Sequence, residues 1–327
     1  AASLYGKDLG NHEAALNAYV AALRRDPEDG TLVEAAHKEA LVLSDFSSLL
    51  DAGADTLEKL DESLVEERVC ALAAIAADDA ELPEVAVGLL EYGVEHAGAT
   101  VDLLDRLPGL LEKVGRTESM VEALAKLFEV QDEPAKKLSV GRKLGGVLEG
   151  RLEDFDGAIR VYEAMVEVEP SDMDTLDTLD RLYRRLDRHE EVILNCGRII
   201  DVQPERSVEL LKQIGGIYLE ALERPGDAAD AYEQALSFDV RDQECYELLE
   251  AAYGATESWE TLGELYERWA MAETDMAQRA EICKKLGILQ EEARGDVEAA
   301  ADAYSQALNA NTEDEEALDA LVRLHRT

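Results

Sequence analysis

Two stretches of this sequence are nearly identical: Ala228-Ala-Asp-Ala-Tyr232-Glu-Gln-Ala235 and Ala300-Ala-Asp-Ala-Tyr304-Ser-Gln-Ala307. Each has an alanine, a tyrosine four residues later, and a second alanine three residues after the tyrosine. The same spacing is found in residues 15–22 and 158–165, and residues 86–93 keep the frame with Leu90 in place of the tyrosine. These copies lie about 71 residues apart through the whole chain, which indicates a repeat architecture.

The repeat signature has four complete copies. Its residues are Ala15 and Tyr19, Ala158 and Tyr162, Ala228 and Tyr232, and Ala300 and Tyr304. A small alanine lets neighbouring helices approach closely, and the tyrosine then fills the groove between them. A weaker second unit begins near Phe46, Ser119, His189 and Trp259. Each period is therefore predicted to hold two units, each with two helices, although residues 45–130 are degenerate.

Helices are predicted throughout. In Leu176–Leu186 the apolar residues recur every three or four positions and form one stripe of a helix. We find no convincing apolar alternation with period two, so no β-sheet is predicted. The pairs Gly145-Gly146 and Gly215-Gly216 are expected to lie inside helices, as positions of close packing.

A helix pair of about 34 residues with this alanine–tyrosine–alanine pattern resembles the tetratricopeptide repeat. The first helix of that family carries an apolar residue followed by glycine, as in Leu144-Gly145, Ile214-Gly215 and Leu286-Gly287. The resemblance implies an all-α, right-handed α-solenoid of about nine helix pairs, whose first helices line a concave surface. It indicates the fold and leaves the partner open.

One continuous array is predicted over residues 1–327. Its double units are expected at approximately 1–54, 55–131, 132–203, 204–274 and 275–327. Residues 1–8 have the pattern of the end of a first helix, and residues 315–325 that of a first helix without its partner. We therefore expect both ends to be uncapped and the chain to be part of a longer array.

Charge narrows the possible partners. The chain has 73 acidic and 32 basic residues and a net charge of −41. Binding to nucleic acid or to an anionic membrane needs basic surface, and the apolar runs are too short to cross a bilayer. We expect a protein or peptide partner that is basic overall, no nucleic-acid partner and no direct membrane insertion.

No constellation of residues indicates an enzyme. Cys70, Cys196, Cys245 and Cys283 stand singly, without the clustered spacing of a zinc site or a disulfide framework, and are expected to pack as small apolar residues. No catalytic residue, metal or cofactor is predicted. The unpaired cysteines favour the cytoplasm, while a bacterial periplasm or cell surface stays open.

Residues 134–188 interrupt the acidic character of the chain and are nearly neutral. The cations there are Lys136, Lys143, Arg181, Arg184, Arg185 and Arg188, all expected on or beside first helices. One interpretation is a basic pocket that captures an acidic peptide motif. The other is helix-surface pairing, with Asp177–Arg181 and Asp180–Arg184 four residues apart.

The predicted function is a non-enzymatic scaffold that binds a protein or peptide on its concave face. Two alternatives stay open: a regulatory or sensing arm of a larger signalling protein, and a structural element that self-associates end to end.

Overall fold

The computed structural model describes Ala2, Tyr5, Gly6 and residues 10–325. The chain divides into two compact units, residues 1–170 (unit 1) and residues 171–327 (unit 2). These described residues form helices and no β-strand, as predicted. The first helix predicted over residues 1–8 falls mainly outside them.

The helices of unit 1 are α1 (His12–Arg25), α2 (Gly30–Leu43), α3 (Ser47–Leu57), α4 (Glu62–Ala74), α5 (Pro83–His96), α6 (Val101–Lys113), α7 (Thr117–Val130), α8 (Pro134–Gly150) and α9 (Phe155–Val168). Those of unit 2 are α10 (Met173–Arg185), α11 (His189–Val202), α12 (Ser207–Gly216), α13 (Pro225–Phe238), α14 (Gln243–Ala255), α15 (Trp259–Ala272), α16 (Met276–Glu292), α17 (Val297–Ala310) and α18 (Glu315–Leu324). Turns of π-helix extend α4 over Ile75–Asp79 and α12 over Ile217–Ala221. No helix in the described ranges is long and apolar enough to span a bilayer.

Helices that follow one another in the chain pack as pairs. In unit 1 the pairs include α4 with α5, α6 with α7, and α8 with α9; in unit 2 they include α12 with α13, α14 with α15, and α16 with α17. The helical segments predicted near Phe46, Ser119, His189 and Trp259 are present, because α3, α7, α11 and α15 start within two residues of these positions. The fold is thus an all-α solenoid type built from helix pairs. Its right-handed turn and its continuity across residues 170 and 171 stay predictions.

The repeat signature forms the contact inside each pair. Ala15, Ala158, Ala228 and Ala300 are completely buried, Tyr162, Tyr232 and Tyr304 are buried, and Tyr19 is half-buried. Each buried tyrosine lies against a glycine of the preceding first helix. A Cβ atom on Gly145, Gly215 or Gly287 would lie 2.5, 2.2 or 2.7 Å from the tyrosine ring. Glycine is therefore required at these positions by the close approach of the ring.

The prediction for the glycine pairs is only half right. Gly145 and Gly215 are positions of close packing, but a Cβ atom on Gly146 or Gly216 would meet nothing within 4 Å. Successive helical residues point about 100° apart, so only one member of each pair can face the tyrosine.

The turns repeat with the same period as the tyrosines. Glu81, Glu153 and Glu223 adopt left-handed backbone conformations, with φ of 55°, 54° and 54°, where the chain leaves a first helix. Gly10 and Gly295 have positive φ at the equivalent places, about 71 residues before and after this series. The left-handed turns therefore recur with the same period as the double unit of the sequence.

Candidate functional site

A cavity of about 720 Å³ opens between α4 and α6, beside the start of α8, on the face of unit 1 formed by first helices. We call it the acidic groove. Its lining residues are Ser63, Glu66, Glu67, Cys70, Ala74, Leu90, Val101, Asp102, Asp105, Arg106, Gln131 and Lys136. Its volume is in the range of sites that accept small ligands or several side chains of a peptide.

Negative charge dominates this lining. Its four carboxylates are Glu66 and Glu67 on α4 and Asp102 and Asp105 on α6. The two cations are each paired with a carboxylate outside the groove. Arg106 Nη1 lies 2.7 Å from Asp78 Oδ2, and Lys136 Nζ lies 2.8 Å from Glu133 Oε2. No cation of the described residues lies within ion-pair distance of Glu67 or Asp102. The groove therefore keeps uncompensated negative charge.

The wall of the groove around Cys70 is partly apolar and already ordered. Ala74 and Val101, both half-buried, contribute apolar surface beside the half-buried Cys70 thiol. Burial raises the pKa of this thiol, and the nearby carboxylates of Glu66 and Asp102 raise it further. Thr100 Oγ1 donates a hydrogen bond of 2.6 Å to Glu66 Oε1, which holds that carboxylate in place. The thiol is protonated at neutral pH, so its chemical role in the groove is that of a small, weakly polar side chain.

The two lysines of the predicted basic patch lie in unit 1, on α8. Lys136 lines the acidic groove, where its hydrogen bond with Glu133 and then the negative charge of Asp105 raise its pKa. Lys143 Nζ lies 4.0 Å from Glu112 Oε2, and the same carboxylate accepts a hydrogen bond from Arg151. Both lysines are thus neighbours of carboxylates.

The four arginines of the predicted patch lie in unit 2. Arg184 Nε donates to Asp180 Oδ2 at 2.7 Å, and its Nη2 donates to Gln213 Oε1 at 2.9 Å. Arg188 donates two hydrogen bonds to Glu191 Oε1, at 2.9 and 2.6 Å. Arg181 and Arg185 also have interaction partners.

The geometry of these arginines agrees with helix-surface pairing at the predicted Asp180–Arg184 pair. Asp177, predicted to pair with Arg181, is the nearest carboxylate partner of Arg206, at 3.7 Å. Capture of an acidic motif at residues 134–188 stays a prediction.

The acidic groove was missed by sequence reasoning because residues 45–130 carry the weakest repeat signature. A signal was present nevertheless. Glu66 and Asp105 occupy comparable positions on α4 and α6, about one helix pair apart in the chain. Carboxylates repeated at this spacing on first helices fall on the same face of neighbouring pairs, but in so acidic a chain such a coincidence does not stand out.

Three of the four cysteines, Cys196, Cys245 and Cys283, are buried, as expected of small apolar residues, whereas Cys70 is half-buried and lines the acidic groove. Burial is the main cause that raises the pKa of all three thiols, to about 11 for Cys196 and for Cys245. Among the described residues, no group of three or more His, Cys, Asp or Glu side chains is arranged to hold a metal ion.

Comparisons with known proteins point to one repeat family. A sequence profile described as "Tetratricopeptide repeat" matches residues 1–29. No curated protein matches the sequence.

Three solved structures illustrate the structural likeness. MamA is 20% identical, with a TM-score of 0.32, over 52% of this chain and 96% of its own. A tetratricopeptide repeat protein from Parabacteroides merdae is 15% identical, with a TM-score of 0.33, over 80% of this chain and 99% of its own. YrrB, described as a TPR protein with an unusual peptide-binding site, is 14% identical, with a TM-score of 0.31, over 55% of this chain and 90% of its own.

The helix pairs and the tyrosines packed on glycines define an α-helical repeat protein. More particularly, the profile matched at residues 1–29 and the repeat signature make this chain similar to tetratricopeptide repeat proteins.

Proposed function

We propose that this protein is an interaction scaffold whose acidic groove binds a basic segment of a partner protein. The observation that supports this most is the groove of about 720 Å³ on the first-helix face, lined by four carboxylates whose charge is not balanced within it. A lysine or arginine of the partner would place its cationic end between Glu67 and Asp102. Its aliphatic stem would lie along Ala74 and Val101.

The partly apolar lining favours a peptide over free cations. A carboxylate pair attracts any positive ion, but only a side chain with an apolar stem also removes the half-buried Ala74 and Val101 from water. The hydrogen bond from Thr100 to Glu66 means that part of the site is ordered before the ligand arrives, which lowers the entropy cost of binding. We assign no catalytic step to the groove.

Fluorescence anisotropy with a labelled lysine- and arginine-rich peptide tests this proposal. The double variant Glu67→Gln/Asp102→Asn removes two charges from the groove, and we expect it to bind at least about 10-fold more weakly than the natural protein. The matched control Glu118→Gln/Glu129→Gln removes two charges from exposed positions of α7. We expect its affinity to fall less than about 2-fold.

An equal loss of affinity in the two double variants would contradict the proposal, because it would mean that the peptide is held only by the overall charge of −41. A peptide of the same length rich in glutamate tests capture of an acidic motif. Since Arg184 and Arg188 already bind carboxylates of their own unit, we expect no saturable binding of this second peptide.

A further inference from the structure

Unit 2 exposes a group of apolar side chains where α13 and α15 end. Met271, near the end of α15, is 78% exposed, and Val240, in the turn after α13, is 61% exposed. Phe238, two residues before Val240, is also 61% exposed. Single exposed apolar residues are ordinary on protein surfaces, but a group that borders one cavity marks a site of interaction.

Met271 and Val240 border a common cavity of about 470 Å³, which we call the apolar groove. Its lining residues are Glu233, Leu236, Ser237, Val240, Tyr246, Arg268, Met271 and Ala272. It is formed by the ends of two second helices and by one side chain of α14 between them. It therefore lies away from the first-helix face, on which the family is expected to bind its ligands.

The floor of the apolar groove is held rigidly. The ring of Tyr246 stacks on that of Trp269, with centroids 5.2 Å apart and planes 5° from parallel. Tyr246 Oη also donates a hydrogen bond of 3.2 Å to the carbonyl oxygen of Val240, which fixes the turn that carries this exposed side chain. Both aromatic rings are at least 95% buried. A ligand would meet a surface that needs no ordering, which favours binding.

The charge around the apolar groove favours ligands that carry positive residues next to the bound apolar side chain. Arg268 is already neutralised, because it forms a two-armed ion pair with Glu233, which also accepts a hydrogen bond of 2.9 Å from Tyr253 Oη. The carboxylates next to the apolar walls in the chain are Asp239, Glu273 and Asp275. Arg241 is the exposed cation beside them. The rim is therefore negative on balance and attracts positive flanks.

We propose that the apolar groove docks a segment of a partner protein in which a leucine, methionine or phenylalanine is flanked by lysines or arginines. The apolar side chain would enter between Met271 and Val240, while the flanking cations would face the carboxylates of the rim. A second copy of this chain fits less well, because two surfaces of a protein with a net charge of −41 repel each other. The acidic groove lies in unit 1, so the two proposals stand or fall separately.

Methionine-methyl NMR of the full chain gives a local readout of this docking. Met271 lies in the groove, while Met120 and Met165 are completely buried and serve as internal references. The probe is a synthetic peptide with two leucines in its centre and two lysines at each end. We expect a saturable shift of the Met271 methyl signal and no shift of the two references. Peptides with alanine in place of leucine, or with glutamate in place of lysine, should bind at least about 10-fold more weakly.

A pair of variants separates the groove from other exposed apolar surface. Val240→Gln removes one wall and should weaken binding of the leucine peptide about 10-fold. The matched control Leu194→Gln replaces a side chain that is 65% exposed on α11, and its affinity should be unchanged.

Three results would overturn the proposal. They are an unmoved Met271 signal, equal binding of the leucine and alanine peptides, and equal affinity of Val240→Gln and the natural protein. A concentration-dependent Met271 shift without peptide, accompanied by dimers in sedimentation, would assign the groove to a second copy and would also overturn it.

Discussion

Unit 2 uses the same ion pairs in successive repeats, whereas several ion pairs in the described part of unit 1 are exposed to solvent. Lys212 on α12 lies 2.6 Å from both Asp242 and Glu244. The equivalent Lys284 on α16, 72 residues later by its number, lies 3.2 Å from Asp314 and 2.9 Å from Glu316. Asp242 and Asp314 also cap α14 and α18. One lysine therefore joins a first helix to the start of the next first helix.

A second repeated contact joins three successive helices of unit 2. In each case a half-buried glutamate accepts a hydrogen bond from a tyrosine and pairs with a cation from the following helix pair. The three sets are Glu233 with Tyr253 and Arg268, Glu250 with Tyr266 and Lys285, and Glu291 with Tyr304 and Arg323. These carboxylates hold neighbouring helix pairs together. Moving any one of them would leave a tyrosine and a cation without this partner.

The ion pairs of unit 1 are more exposed and vary from one repeat to the next. The Arg24–Asp55 pair has a separation of 3.5 Å, and its side chains are 52% and 65% exposed. Arg68 on α4 is 95% buried, and its Nη1 has no hydrogen-bond partner among the described residues. Exposed ion pairs such as Arg24–Asp55 contribute little to stability.

The difference suggests how one fold combines structure and recognition. In unit 2 the carboxylates at the repeat contacts are neutralised by lysines, arginines and tyrosines. In unit 1, Glu66 and Glu67 of α4 and Asp102 and Asp105 of α6 instead line a cavity between these helices. We infer that loss of the repeat pattern in unit 1 frees charge for binding.

The largest expected effect comes from the contact between glycine and tyrosine. In Gly215→Ala the new Cβ atom would lie 2.2 Å from the Tyr232 ring, which is 1% exposed and cannot move aside. We expect a loss of about 2 kcal/mol in the free energy of unfolding, from overpacking. In Gly216→Ala the methyl group meets open space, and helix propensity should add about 0.5–1 kcal/mol. Urea unfolding should therefore give a lower free energy of unfolding for Gly215→Ala and a higher one for Gly216→Ala than for the natural protein.

The same substitution in unit 1 sharpens the comparison. A Cβ atom on Gly53 would lie 2.6 Å from a terminal methyl carbon of Leu72, which can rotate away. We expect Gly53→Ala to cost less than about 1 kcal/mol. Equal losses for Gly53→Ala and Gly215→Ala would mean that a contact with a tyrosine ring does not make overpacking more costly than a contact with leucine methyl groups.

The next effect concerns the repeated lysines. Lys284→Met leaves Asp314, whose side chain is only 6% exposed, without its cation. We expect a loss of about 1–2 kcal/mol in the free energy of unfolding. Arg24→Met in unit 1 should cost less than about 0.5 kcal/mol, because both members of its ion pair are exposed. Thermal unfolding of both variants checks this order, and a larger loss for Arg24→Met would contradict it.

Acid should weaken these contacts in a predictable direction. Burial opposes the charged forms of Glu233, Asp242 and Asp314, but hydrogen bonds outweigh it and lower the pKa of each carboxyl. The main donors are Arg268 for Glu233, Lys212 for Asp242, and the Ala317 backbone N–H followed by Lys284 for Asp314. A group with a lowered folded-state pKa stabilises the protein fully above its unfolded pKa of about 4, and that contribution is lost as the pH falls through the folded pKa.

The double variant Lys212→Met/Lys284→Met should therefore lose less stability than the natural protein when the pH falls from 6 to 3. Unfolding midpoints measured across this range give the two slopes. Parallel slopes would show that the lysines do not set the pKa values of Asp242 and Asp314.

The smallest effect concerns the left-handed turns. Glu223 has φ of 54°, a conformation that favours glycine, and Gly295 occupies the equivalent turn of the next period with φ of 68°. We expect Glu223→Gly to stabilise the protein by about 0.5–1 kcal/mol and Gly295→Glu to destabilise it by a similar amount. Opposite shifts of the unfolding midpoint would confirm that the turn is equivalent in the two periods.

Much of the fold could be predicted because its signals are local. The spacing of Ala228 and Tyr232 places both on one helix face, and its recurrence implies that the same helix pair is built again. The position of the acidic groove could not be predicted in this way. It depends on Glu67 and Asp102, which lie on different helices and line one cavity only after those helices have packed together.

The sequence by itself determined the helices, their pairing and the period of the repeat, because these follow from residue spacing within one helix pair. Only the tertiary structure decided which charged side chains are enclosed by ion pairs within the protein and which border a surface open to a ligand. Lys284 and Lys136 are similar residues on first helices, but one is enclosed by three carboxylates and the other borders an open groove. That distinction depends on side chains about one helix pair away in the chain, which meet only when neighbouring pairs pack together.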